Sequence, residues 1–232
     1  EMLPVPMNFR FSGLSQPSVY QTITPVAGTV FEKSVAYMRL LNSSGNGVAG
    51  VEGKYRLGST YYSAGNTNAD GVVLAMIDGY VTSTYFRMAL LGHEQTKLQN
   101  IANNSFVIFQ SMAITVELRD SNGNLINADE LLYRDGSGTH ISLGTGIPQA
   151  SIEMLPLSYY FYATYLGHTQ TILQNTAKPG GNVVTFQTTL VTVEMLDSGD
   201  NLLAADELKY RDGYGAHVSL GTNTNSETIE ML

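Results

Sequence analysis

Apolar and polar residues alternate along most of the chain, in runs of four to nine residues rich in Val, Ile, Thr, Tyr and Phe. The runs are bounded by Gly, Asn, Asp and Pro. Alternation of this kind places successive side chains on opposite faces of a strand. Between Ala113 and Thr189 the runs predict strands near 113–119, 128–134, 139–144, 150–155, 158–166, 168–175 and 182–189. SNGN at Ser121–Asn124 and SGDN at Ser198–Asn201 read as tight hairpin turns, with Gly or Asn supplying positive φ. No segment sustains a 3.6-residue period. ADELLY at Ala128–Tyr133 has helical propensity, but it is too short to stand as an isolated helix. About seven short strands per unit predict an immunoglobulin-like sandwich.

The pattern repeats. ITVELRDSNGN at Ile114–Asn124 returns as VTVEMLDSGDN at Val191–Asn201, 77 residues on. ADELLYRDGSGTHISLGT at Ala128–Thr145 returns by the same step at Ala205–Thr222, and LGHEQTKLQN at Leu91–Asn100 returns at Leu166–Asn175. A period of this length implies an array of small domains. The expected class is all-β, with tandem immunoglobulin-like sandwiches. There are three domain equivalents, one of them split between the two ends. Residues 1–34 form the back part of a repeat, 35–112 and 113–189 are complete repeats, and 190–232 form the front part of another. The two partial segments add up to one period, and Glu1–Leu3 and Glu230–Leu232 are the same three residues.

At each join the apolar positions change phase. They run Phe31, Val35, then Ala36, Met38, Leu40. At the next join they run Val107, Phe109, Ala113, then Ile114, Val116, Leu118. At the last they run Val184, Phe186, Leu190, then Val191, Val193, Met195. A phase change moves the buried face to the other side of the strand. One extended segment is therefore expected to serve two successive sandwiches. No Gly/Ser or Pro linker intervenes, so the joins should be stiff.

Leu40–Gly58 (LLNSSGNGVAGVEGKYRLG) and Gly65–His93 (GNTNADGVVLAMIDGYVTSTYFRMALLGH) carry a family likeness. Asn68–Gly71 stands at an Asp-Gly-type turn, and Gly79-Tyr80 opens the strand after it. This first complete repeat resembles bacterial Ig-like surface repeats of the carboxypeptidase-regulatory-like and collagen-adhesin B types. The second unit departs at the turn, with Gly146–Gln149, and the third has Asn223–Ser226. The resemblance implies a secreted or cell-surface structural or adhesive repeat.

Composition narrows the chemistry. Only 14% of residues are charged and the net charge is −8, with 12 scattered basic residues. Nucleic acid is disfavoured as a partner, because phosphate recognition needs clustered Lys and Arg. Cysteine is absent, which removes disulfides and thiolate metal sites. No stretch approaches the ~18 apolar residues of a membrane span. No signal peptide is visible, so any targeting segment is expected to have been removed or to lie upstream.

No cofactor or metal is expected. The histidines recur as His93 with His168 and His140 with His217, without ligand spacing. Asp120 to Asn124 looks like the start of a calcium loop, but Leu125 and Leu131 stand where an EF-hand needs Gly and a carboxylate. Calcium at a junction through Asp120, Asp197, Asp129 or Glu130 is the lesser alternative to a plain turn. Isopeptide chemistry of the adhesin type is disfavoured: Lys54 and Lys209 are equivalent, but the middle unit has Leu132 there. Neither a nucleophile elbow nor a phosphate loop is present, and enzyme activity is not expected.

The candidate contact residues are aromatic. Tyr159, Phe161, Ala163 and Tyr165 fall on one strand face, predicted to be core like Phe86 and Met88. Tyr160 and Tyr162 fall on the other, with Tyr85 and Arg87 at matching places. These outward residues either cover the sheet or contact a neighbouring domain, another filament or a sugar. Val191, Val193, Met195 and Phe31 are expected at a chain-to-chain contact. Asn42 and Asn103 fit the N-glycosylation pattern. The expected function is a structural subunit of an extracellular filament or stalk, polymerising head to tail. The alternative is an adhesin or carbohydrate-binding module that meets glycans or a host or neighbouring cell surface.

Overall fold

The computed structural model describes residues 7–11, 19–23, 33–78 and 81–232. Phe31, Gly79-Tyr80 and Glu1–Leu3 lie outside them. Every regular element among these residues is a strand. The chain divides into two compact units, Glu1–Met112 and Ala113–Leu232.

In the first unit β1 (Met7–Phe11) and β2 (Val19–Ile23) form an antiparallel hairpin. Seven strands follow: β3 (Lys33–Leu41), β4 (Glu52–Leu57), β5 (Thr60–Asn66), β6 (Val72–Asp78), β7 (Ser83–Leu90), β8 (His93–Asn100) and β9 (Phe106–Gln110). They build a three-stranded sheet, β6-β3-β9, and a four-stranded sheet, β5-β4-β7-β8. The opening strand β3 runs parallel to the closing strand β9. Ala36, Met38, Leu40, Ile77 and Phe109 from one sheet, and Tyr55, Phe86 and Met88 from the other, are buried as the core. A β-carbon on Gly53 of β4 would lie 2.6 Å from Val73 of β6. The two layers therefore pack as a sandwich with no spare room at that point.

The second unit repeats the plan with β10 (Met112–Arg119), β11 (Ala128–Arg134), β12 (His140–Ile147), β13 (Gln149–Met154), β14 (Ser158–Tyr165), β15 (His168–Asn175) and β16 (Val183–Gln187). Its sheets are β13-β10-β16 and β12-β11-β14-β15, and β10 is parallel to β16. Four further strands, β17 (Thr189–Glu194), β18 (Ala205–Arg211), β19 (His217–Thr224) and β20 (Ser226–Met231), form two pairs, β17-β20 and β18-β19. The same register shift recurs in three equivalent hairpins, at Gly53/Lys54, Leu131/Leu132 and Leu208/Lys209. A bulge kept at one place in each copy aims the following residues at the same face.

Three expectations need correction. Ser121–Asn124 is a tight turn closed by the antiparallel Arg119–Leu125 bridge, but the hairpin goes no further, because β10 and β11 lie in different sheets. The turn is set by the Asp120 carboxylate, which accepts the amides of Asn122 at 2.9 Å and Asn124 at 2.7 Å. Asp197 does the same for Gly199 and Asn201, and the Asn42 amide oxygen for Ser44 and Asn46. Second, β12 continues to Ile147 and β13 starts at Gln149, so the chain changes sheet at Pro148 alone. The Pro148 carbonyl accepts Leu118 N–H at 3.0 Å, which ties the corner to β10. Third, Val35, Ala113 and Leu190 are exposed. Strand alternation turns each of them outward once the next residue (Ala36, Ile114 or Val191) takes the inward position.

Candidate functional site

Two features of the second unit stand out: the contact between its complete sandwich and the four strands that follow, and the open face of those four strands. The contact has two points. At one, Leu166-Gly167 joins β14 to β15 as a two-residue turn with φ of 50° and 74°. Positive φ at both positions suits the right-handed twist of a hairpin, although it is strained for Leu. The Leu166 carbonyl accepts Gly213 N–H at 2.9 Å from the β18–β19 turn. The Asp129 carboxylate accepts Gly167 N–H at 2.8 Å and the Tyr214 hydroxyl at 3.3 Å. A β-carbon on Gly213 would lie 1.9 Å from the Gly167 carbonyl oxygen, so the approach is backbone against backbone. Partial desolvation and the neighbouring Asp129 raise the Tyr214 phenol above its ordinary pKa, although the ring is largely exposed.

At the other point Glu230, on β20, reaches back to the complete sandwich. Its carboxylate accepts the Ser121 amide at 3.2 Å and the hydroxyls of Ser121 and Thr188. The Ser121 and Thr188 hydrogen bonds hold its pKa below the usual carboxylate range. Thr188 is itself buried, at the single residue between β16 and β17. The four strands are thus tied on at both edges without a linker. Asp129, Tyr214 and Glu230 were not picked out as a contact set in the sequence. The repetition of Glu in each EML segment and of Leu-Gly-His in each hairpin was the available signal.

The open face follows from which strands are present. In the complete sandwich β11 lies between β12 and β14, and β10 between β13 and β16. Their equivalents β18 and β17 have one neighbour each among the described residues, β19 and β20. Ile114, Val116 and Leu118 are 0% exposed, whereas the equivalent Val191 and Met195 are 36% and 42% exposed and Val193 is half-buried. Leu131 and Met154 are buried, and their equivalents Leu208 and Met231 are half-buried. Residues 190–232 therefore carry the strands that open a further sandwich of the same plan.

The outward aromatic residues lie on the four-stranded sheets. Tyr159, Phe161 and Ala163 are buried, while Tyr160 is exposed beside Leu173 on the neighbouring strand. Tyr162 packs on His140, with ring centroids 4.4 Å apart. Tyr85 is exposed and lies under the Arg56 guanidinium at 5.3 Å. Arg87 sits 3.9 Å over the Tyr61 ring and pairs with Glu94 at 2.7 Å. Asn42 is held as a turn acceptor, and Asn103 is exposed between β8 and β9. Lys54 and Lys209 pair with Glu52 and Glu207. Among the described residues no three His, Cys, Asp or Glu side chains gather as a metal site. Asp120 and Asp197 accept amides of their own turns, and Asp129 accepts that of Gly167. No helix among the described residues is long and apolar enough to cross a membrane.

No protein-family model matches the chain, and no curated protein matches it. Among solved structures it is similar to the Bacillus anthracis TIE protein, at 11% identity and a TM-score of 0.31 over 97% of this chain; it spans 50% of that protein's length. It is also similar to a streptococcal ancillary pilin, at 11% identity and a TM-score of 0.26, with 77% of this chain and 72% of that one covered. A third similar structure is BcpA, the major pilin subunit of Bacillus cereus, at 7% identity and a TM-score of 0.26, with 87% and 96% covered.

Proposed function

We propose that the chain is a structural segment of an extracellular filament or stalk, assembled from stiffly joined β-sandwiches in head-to-tail order. The observation that carries this reading is the attachment of residues 190–232, which repeat the strands of the preceding sandwich and are tied to it through Gly213, Tyr214 and Glu230. A contact that repeats from one sandwich to the next without closing generates a fibre. The array then consists of residues 35–112 and 113–189 as complete sandwiches, with 1–34 and 190–232 as parts of a divided one. The low charge content and the resemblance of the first repeat to bacterial Ig-like surface repeats support a place outside the cell. The arrangement offers hydrogen bonding and apolar burial, and the proposed role is mechanical, without catalysis.

A second reading, adhesion through the sheet surface, is favoured by exposed Tyr160 with Leu173 and Tyr85 with Leu98. Electron microscopy of the purified chain separates the two. The filament reading expects regular fibres of uniform axial repeat at raised protein concentration. Dispersed particles at every concentration, together with glycan binding lost in Tyr160→Ser, would replace it with the adhesive one.

A further inference from the structure

The two complete sandwiches differ on the outer face of their three-stranded sheets. In β6-β3-β9 a row of apolar side chains crosses all three strands, because Tyr37 lies opposite Leu74 on one side and Phe106 on the other. The rings of Tyr37 and Phe106 stack with centroids 5.3 Å apart. Val35 and Ile108 widen the row, and all five residues are exposed. Arg39, on the same face, donates from Nε to the Asp70 carbonyl at 3.2 Å.

The same ladder positions in the second sandwich are mostly polar. Thr115 stands opposite Val183, and its hydroxyl lies 3.4 Å from that of Ser151. Thr185 stands opposite Glu117, where the first sandwich sets Ile108 opposite Arg39, and donates its hydroxyl to the Glu117 carboxylate at 2.9 Å. In the pair β17-β20 the corresponding residues are Thr192 and Thr228, again opposite each other. The fold plan is thus met by hydroxyls at these places. The aromatic and aliphatic side chains of the first sandwich point away from its core and serve something outside it.

Their area decides what that is. Tyr37 at 41% and Phe106 at 56% exposure leave about 200 Å² open between them, and Leu74, Ile108 and Val35 bring the face to about 400 Å². Contiguous apolar patches of a few hundred Å² mark interaction sites. Two such faces in contact bury about 800 Å² in total, below the ~1,200 Å² of stable pairs. One contact of this size holds a partner weakly, whereas the same contact repeated along two rods adds up. A filament of this chain presents the face at a fixed interval, and a second filament of the same chain has the matching interval. The rim carries both signs, Arg39 beside exposed Asp70, so two copies bring opposite charges together there.

We propose that the outer face of β6-β3-β9 is a lateral contact between copies of this chain, sheet against sheet, which gathers filaments side by side. The repetition that makes the contact hold rests on the filament reading.

The test gives the first sandwich the hydroxyls that the second carries at the same places: Tyr37→Thr, Leu74→Ser and Ile108→Thr together. In electron micrographs wild-type fibres should lie side by side. Fibres of the variant should be single, with the bundled fraction down about tenfold or more and the axial repeat unchanged. Thermal melting shows whether the variant is folded; if it is not, Phe106→Val, which installs the residue found at 183, takes its place.

Single wild-type fibres, or variant fibres that bundle as before, would overturn the lateral contact and leave the filament. If no fibres form, sedimentation equilibrium of the concentrated chain decides. A weak dimer whose association constant drops about tenfold in the variant keeps the contact and sinks the filament. A dimer indifferent to the substitutions, or a monomer throughout, sinks both.

Discussion

Gly213→Ala should loosen the attachment of the half-sandwich while leaving both partners folded. Gly213 lies outside the positive-φ positions, so alanine suits its local backbone. What changes is space: the new β-carbon would meet the Gly167 carbonyl oxygen at 1.9 Å and its carbon at 2.1 Å. Neither atom belongs to a rotatable side chain, so the two turns must part by over ~1 Å to reach ordinary contact. That separation lengthens the 2.9 Å bond from Gly213 N–H to Leu166 O. A net backbone hydrogen bond contributes about 1 kcal/mol, which is roughly fivefold in an opening equilibrium. The Asp129 bonds to Gly167 and Tyr214 weaken in the same movement and add to it. Native-state hydrogen exchange reads this directly. Protection of the Gly167 and residue-213 amides should fall about fivefold or more, while amides at Phe161 and Ala163 keep theirs. Unchanged protection at Gly167 would refute the close backbone approach and the stiff junction built on it.

Glu230→Gln should flatten the acid limb of the stability profile: a carboxylate with a depressed folded pKa stabilises above its unfolded pKa, and that stabilisation is lost as pH falls through the folded value. Thermal melts of the two proteins between pH 3 and 6 check this, and parallel curves would count against the Glu230 clamp. Tyr160→Ser with Tyr162→Ser should keep the fold, because the buried side of β14 is untouched, and should weaken any lateral or ligand contact; global unfolding would show that the faces are wrongly assigned. Lys97 lies opposite Phe86, where the second sandwich has Ile172 opposite Phe161, and burial lowers its pKa. Lys97→Ile should raise the melting temperature at neutral pH, and the gain should shrink as pH rises through the lowered lysine pKa; a lower melting temperature would show that the bond to the Ile108 carbonyl outweighs desolvation.

The alternation of apolar residues was sufficient to locate β11 and β15 to the residue and to separate Tyr159 and Phe161 from Tyr160 and Tyr162, because a strand's two faces are fixed by its own period of two. The 77-residue step likewise makes Val191, Val193 and Met195 equivalent to Ile114, Val116 and Leu118 of the buried strand β10. Local signals failed where partners are distant in the chain. Ser121–Asn124 is the tight turn its residues indicate, yet only the assembled sheets show that β10 and β11 separate into different layers beyond it. The parallel pairing of β10 with β16, the bond from Ser121 to Glu230 across 109 residues and the meeting of Gly167 with Gly213 have no local signature. Such contacts depend on which surfaces the sheets bring together after the core has formed. The same reason applies to Val191 and Met195: sequence equivalence marks them as core residues, but their burial depends on the strands that lie beside them. Periodicity determines which side of a strand is apolar; only tertiary structure decides what covers it.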